Sequence, residues 1–393
     1  MNLTTENLFI DTGYSQCSHH DEKACGDVVA FKRIPAEERL LAVLADGLGH
    51  GLKANILALM TTTMAIRFSA EDREIVHSAE IIMDSLPICQ DRGISYATFT
   101  IVDTRLGGVT RVVEMGNPAF LLFRGDEPQA VESRKFVSPK YKERTMTAYS
   151  FRARPGDRVV FFSDGVTQAG LGMPHLPLGW GEMSVREYVK TQIAASPAIS
   201  SQELSERILR EAIAHEPGLR PADDITAACL YFRRPRRMLL FTGPPIDRER
   251  DAECARQFKE FEGTRVICGG TSAAIISREL GTALELKPDS AAGDLPPTSE
   301  MEGADLVTEG IFTLSRAATY LEHGDMERND PAGRLIELMR RNDIIDFLVG
   351  TRINEAHQDP NLPVELELRR NIVKRLAHLL RDRYMKEVRI TFV

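Results

Sequence analysis

Leu40-Leu41-Ala42-Val43-Leu44-Ala45-Asp46-Gly47-Leu48-Gly49-His50-Gly51 joins an apolar run to an acid and three glycines. An apolar run closed by glycines reads as a buried strand leading into a turn. The glycines let the backbone approach an ion closely and expose carbonyls, with Gly47 the favoured donor. A second copy of the pattern runs from Arg158 to Gly165 (RVVFFSDG) and carries Asp164. Three further acids stand before apolar runs instead of after them: Asp27 precedes VVAF, and Asp223-Asp224 precede Ile225 to Phe232. In an antiparallel sheet the end of one strand lies beside the start of its neighbour, so these acids are expected on one rim. Clustered carboxylates cost free energy unless protonated, solvated or paired with a cation. An all-oxygen ligand set suits Mg2+ or Mn2+, whereas zinc usually recruits His or Cys. The pattern therefore points to a hydrolase that uses two divalent ions.

The chain has 393 residues, 43% of them hydrophobic, enough for substantial cores and, at ordinary domain size, for two domains. A formal net charge of -8 argues against general affinity for nucleic acid or anionic membranes. The basic residues that do cluster lie at Arg233 to Arg237 (RRPRR). Cys17, Cys25, Cys89, Cys229, Cys254 and Cys268 are scattered, and no apolar targeting or membrane-spanning run occurs. Reduced thiols and a cytoplasmic location are the expectation. The segment Cys17 to Cys25 (CSHHDEKAC) gathers two thiols and two imidazoles and raises the question of zinc, although its spacing is not a finger pattern.

The grammar changes at RRPRR, giving expected domains of 1–235 and 238–393. The first half reads as an antiparallel meander with inserted helices. Residues 54–68 form a largely buried helix and 72–86 an amphipathic one, with strands over 95–102, 110–114 and 119–124. Asn117-Pro118 and Pro155-Gly156 make turns, and Asn117 reads as structural more readily than as a substrate contact. Residues 200–215 open with a serine cap and a glutamate three positions on. The second half alternates strands and helices as a mostly parallel α/β layer does. Strands are expected over 238–241, 265–268, 283–286, 305–308 and 388–393. Helices are expected over 248–261, 272–280, after Gly310, after Pro331, and over 364–383. Residues 288–302 read as a loop rich in Pro, Ser, Gly and acid.

The ordered set Gly26-Asp27, Asp46-Gly47-Leu48-Gly49-His50-Gly51, Ser163-Asp164-Gly165 and Asp223-Asp224-Ile225-Thr226 resembles the metal-dependent PPM serine/threonine protein phosphatases, in particular the SpoIIE branch, over about residues 10–232. Any single Asp-Gly is uninformative, because such dipeptides mostly make turns; the full order is specific. The resemblance implies an α/β/β/α antiparallel sandwich flanked by helices. It assigns metal ligation to Asp27, Asp46, Gly47, Asp164 and Asp223, with Asp224 in the adjacent slot. It also implies a water activated by two Mn2+ or Mg2+ ions, with Asp46 and Asp164 indispensable to turnover and no phosphoenzyme. The implied substrate is a phosphoprotein resembling an anti-sigma-factor antagonist. Related phosphatases outside this branch carry an early phosphate-binding arginine, and this chain has none before Asp27, so the resemblance leaves phosphate to metal and backbone. His50 is a candidate proton donor to the leaving seryl oxygen, against the ordinary role of a turn histidine in local packing. The helix over 54–68 has two readings, as core and as a switch that repositions Gly47.

In the second half, Cys268 runs into Gly269-Gly270-Thr271-Ser272 and a helix, which offers backbone amides to a small anion; tight strand-to-helix turns use the same glycines. Thr308-Glu309-Gly310 makes a second such junction, and Cys268 itself reads as a small buried residue. A regulatory role through an anionic ligand or a partner follows as the expectation, with a homodimer as the assembly to test. Two other classes compete: an ATP-binding module of the GHKL kind, which also uses Asp-x-Gly-x-Gly turns, and a non-catalytic scaffold.

Overall fold

A computed structural model describes residues 8–71, 75–85, 97–137, 145–287, 295–325, 328–352 and 362–393. The chain divides into two compact units, Met1–Arg234 and Pro235–Val393.

In the first unit the strands are β1 (Phe9–Cys17), β2 (Asp27–Ile34), β3 (Arg39–Gly47), β4 (Ala97–Arg105), β5 (Thr110–Met115), β6 (Leu121–Arg124), β7 (Glu127–Gln129), β8 (Ser133–Val137), β9 (Thr145–Phe151), β10 (Asp157–Phe162) and β11 (Ile225–Arg233). The helices are α1 (Gly51–Ala70), α2 (Ile75–Ser85), α3 (Asp164–Gln168), α4 (Glu182–Ala195) and α5 (Ser201–His215). Two antiparallel sheets result, ordered β1-β11-β10-β6-β7 and β2-β3-β4-β5-β9-β8. Helices α4 and α5 bury Val185, Val189, Leu204 and Ile208 on the first sheet. Helices α1 and α2 bury Ala58, Ala65, Ile75 and Ile82 on the second, against Val43, Phe99 and Ile101. The α/β/β/α sandwich is thus present. Strand β3 is buried on both faces, which is why its sequence is apolar without alternation.

The acid-bearing rim differs from expectation. Asp27 and Asp46 belong to one sheet, whereas Asp164 and Asp223 border strands of the other. Their convergence depends on the stacking of two sheets, and pairing within one sheet does not produce it. Helix α1 is also less buried than its composition suggested. Ala54, Ala58, Thr61, Thr62 and Ala65 face inward, while Leu52, Ile56, Leu59 and Met60 are exposed. Small residues allow the close approach to β3, and the large apolar ones have no room there. Of the helix expected over 72–86, Ile75–Ser85 is observed; residues 72–74 and 86 lie outside the described residues, as do 95 and 96 of the next strand.

The second unit contains β12 (Arg237–Thr242), α6 (Asp251–Glu260), β13 (Thr264–Cys268), α7 (Gly270–Leu280), β14 (Leu284–Leu286), β15 (Ser299–Met301), β16 (Leu306–Thr308), α8 (Ile311–His323), α9 (Pro331–Arg341), β17 (Ile344–Val349), α10 (Leu362–Asp382) and β18 (Glu387–Phe392). Its sheet runs β14-β15-β16-β13-β12-β17-β18, and all pairs from β16 to β18 are parallel. Taken in chain order, those five strands follow the doubly wound arrangement 3-2-1-4-5. Strand β12 shows why both faces must be covered. Met238 and Leu240 join the core under α8, α9 and α10, and Leu239 and Phe241 join that under α6 and α7. Among the described residues, no helix is long and apolar enough to cross a membrane.

Candidate metal centre

The β2–β3 register sets Asp27 directly opposite Asp46. From the other sheet, Ser163 and Thr226 tie the end of β10 to the start of β11: the Ser163 N–H donates to the Thr226 carbonyl at 3.0 Å, and the Thr226 N–H donates to Ser163 Oγ at 3.0 Å. That clamp holds Asp164, the first residue of α3, beside Asp223 and Asp224, which precede β11. Asp164 therefore opens a short helix two residues beyond the end of the strand it was expected to close, with Ser163 between. The Asp224 N–H in turn donates to Asp223 Oδ1 at 2.8 Å.

The cluster is graded in depth. Asp27 is fully buried and Asp224 nearly so, while Asp46, Asp164 and Asp223 remain partly open to solvent. Burial, followed by the charges of Asp224 and Asp223, pushes the Asp27 carboxyl up to about 8, against the opposing hydroxyls of Thr226 and Ser163. Neither Asp27 oxygen has a hydrogen-bond partner of ordinary geometry. Asp46 is raised well above the usual carboxylate range by burial and then by Asp27, Asp164 and Asp223. Asp223 is raised by burial, then by Asp164 and Asp224. The acids thus sense one another although they come from four separate segments.

Both Asp27 oxygens and Asp224 Oδ2 are buried without a partner. A buried carboxylate left in that condition is costly, and a hard cation is the group that relieves it. An all-carboxylate set of Asp27, Asp46, Asp164, Asp223 and Asp224 has the donor chemistry that suits hard divalent ions. Among the described residues, the ligand-type trio whose atoms approach within 4.8 Å of one another is His19, His20 and Asp21, and no trio of these aspartates does so. A site for two ions about 3.5–4 Å apart divides its ligands between them, so its carboxylates do not all converge on one point.

Glycines fix the approach of the surrounding backbone. A Cβ on Gly47 would lie 2.1 Å from the Ala54 carbonyl of α1, one on Gly165 2.2 Å from the Asp224 carbonyl, and one on Gly26 2.6 Å from Asp224 Oδ2. Two supporting contacts were not foreseen from sequence. Gln168 Nε2 donates to Asp164 Oδ2 at 2.8 Å across one helical turn, a spacing that could have been noticed. The His19 N–H donates to Asp224 Oδ1 at 3.0 Å over 205 positions, which no local signal announces.

His50 sits at the exposed lip, its Nδ1 3.1 Å from Glu22 Oε1 and its ring stacked on that of His19 at 4.5 Å. Asn117 is bonded to the Thr98 and Thr100 hydroxyls and acts as a turn brace. Cys17 and Cys25 turn their thiols to the carbonyls of Ser18 and Cys17, burial pushes the Cys25 thiol up, and among the described residues neither cysteine joins a ligand-type trio. In the second unit, Gly269 caps α7 and Gly310 caps α8; a Cβ on Gly310 would lie 3.2 Å from Gly269 Cα, so the two glycine junctions adjoin.

A helix-flanked antiparallel sandwich with acids from both sheets at one end defines the PPM class of serine/threonine protein phosphatases. The description Stage II sporulation protein E (SpoIIE) matches residues 36–233, just over half of the chain, and the chain belongs to that family. Among solved structures it is similar to the phosphatase domain of SpoIIE from Bacillus subtilis, at 16% identity, covering 58% of this chain and 94% of that one, with a TM-score of 0.44. The RsbU and RsbW domains of a Mycobacterium tuberculosis protein are similar at 18% identity, covering 65% and 69%, with a TM-score of 0.47. A serine/threonine phosphatase of S. agalactiae is similar at 15% identity, covering 57% and 99%, with a TM-score of 0.40. No curated protein matches the chain. Strand β3 stands where a GHKL-type module would need an asparagine-bearing helix.

Proposed function

We propose that the first unit hydrolyses phosphoserine and phosphothreonine on a bacterial signalling protein resembling an anti-sigma-factor antagonist, and that it does so with Mn2+ or Mg2+ held by Asp27, Asp46, Asp164, Asp223, Asp224 and the Gly47 carbonyl. The observation that carries this reading is the set of buried, partnerless oxygens on Asp27 and Asp224 beside Asp46 and Asp164. Two divalent ions bound there supply a water of near-neutral pKa and neutralise charge on the phosphoryl oxygens. Asp27 and Asp224 anchor from below, and the partly open Asp46, Asp164 and Asp223 face the entering phosphoester. Gln168 holds one Asp164 oxygen and leaves the other for the site. In this reading Glu22 orients His50, which protonates the departing seryl oxygen; the contact between the two side chains supports it. The second unit is regulatory in this reading, binding a small anion at Gly269, Gly270 and Thr271.

The test is Mn2+-dependent release of phosphate from a phosphoserine peptide by the full chain. Activity that persists in chelator, or an Asp46→Asn variant as active as wild type, would overturn the proposal.

A further inference from the structure

We propose that His19, His20 and Asp21 form a separate cation site of the zinc class at the lip of the acid cluster. One ligand atom from each lies within 4.8 Å of the others. His20 Nδ1 is 3.0 Å from the Pro221 carbonyl oxygen. A carbonyl only accepts, so Nδ1 carries the proton, and Nε2 is the nitrogen that faces Asp21 Oδ2 at 3.1 Å. Metal-binding imidazoles are oriented in this way, one nitrogen donating to the backbone and the other presented to the ion. The His20 N–H also donates to Pro221 at 3.0 Å, so main chain and side chain are pinned to the same carbonyl.

His19 completes the set. Its Nδ1 accepts from the Asp21 N–H at 3.2 Å, which holds the ring beside the Asp21 segment. Its ring lies 4.4 Å from that of His20. His50, stacked on His19, is engaged by Glu22 and stands outside the trio.

Two imidazoles and one carboxylate select zinc and its borderline neighbours, whereas the oxygen-only cluster below selects Mg2+ or Mn2+. Three protein ligands leave a fourth position open to solvent or to a ligand. The two sites share a mechanical link, because the His19 N–H holds Asp224 Oδ1. An ion at the lip would therefore fix the segment that positions one of the buried acids. The inference does not depend on the phosphatase reading, since none of the three side chains is a ligand candidate of the acid cluster.

Zinc binding to the full chain, kept in excess Mn2+, is read with a chromogenic zinc indicator for wild type, His20→Ala, Asp21→Asn, their double variant and Asp46→Asn. Both substituted lip positions are exposed, and unchanged circular dichroism confirms folding. Wild type and Asp46→Asn are expected to bind one zinc equivalent, which the lip variants weaken by at least about tenfold and the double variant loses. A zinc equivalent retained by the double variant, lost in Asp46→Asn, or absent from wild type overturns the site. Loss of phosphatase activity in Asp46→Asn with zinc binding intact leaves the two readings separately judged.

Discussion

Asp46 faces Asp27 across one strand pair and feels Asp164 and Asp223 from the other sheet. Replacing it by asparagine keeps the shape, removes a charge the ions need, and relieves repulsion among the acids. Asp46→Asn should therefore lower phosphopeptide turnover about a thousandfold, in keeping with several kcal/mol of transition-state stabilisation, while its metal-free thermal midpoint is no lower than wild type. A variant that unfolds instead would mark Asp46 as structural. Glu114, away from that cluster, reports on pH. Burial pushes its carboxyl up to about 7, although it accepts the Phe120 N–H at 2.8 Å. A folded-state value above the ordinary glutamate value of 4.5 means that its contribution is full below about 4.5 and is lost as pH rises through about 7. Glu114→Gln has no proton to lose, so its stability relative to wild type should grow between pH 5 and pH 8 in urea titrations. A constant difference across that range would refute the assignment.

At the scale of elements, α5 was legible because its cap is chemical: Ser200 Oγ accepts the Glu203 N–H at 3.2 Å, as the S-x-x-E spacing predicts. Ser200→Ala should cost about 1 kcal/mol, measured as a lower urea midpoint with unchanged slope. A cost near zero would mean that packing on β1 and β11 alone sets the helix. Strands β3 and β10 were legible for a different reason, since their apolar runs end on Asp-Gly. Strand β17 was missed, although Ile344–Val349 pairs with both β12 and β18. It lies between two long helices with no glycine or proline at its start, so nothing local interrupts the helical pattern before it. Helix α4 was missed because its inward face is only Val185, Val189 and Ile193. The ligand candidates were legible as residues, but the two-sheet convergence that joins them was not, because register fixes neighbours within a sheet and says nothing about which sheets stack.

For the whole molecule, the ligand candidates all lie in the unit Met1–Arg234, while Pro235–Val393 has its own core on both faces of a doubly wound sheet. Ions that bind only the folded form stabilise whichever unit supplies their ligands, by about 2.7 kcal/mol at a concentration one hundred times the dissociation constant. For a domain of this size that amounts to a rise of roughly 5 to 10 °C in midpoint. Calorimetry of the full chain should accordingly show two transitions in chelator, of which Mn2+ raises one and leaves the other in place. The Asp46→Asn chain should show the same two transitions with most of that rise gone. If Mn2+ lifted both transitions equally, or lifted one in Asp46→Asn as much as in wild type, the ions would be binding somewhere other than between the two sheets, and the partnerless oxygens of Asp27 and Asp224 would need another explanation.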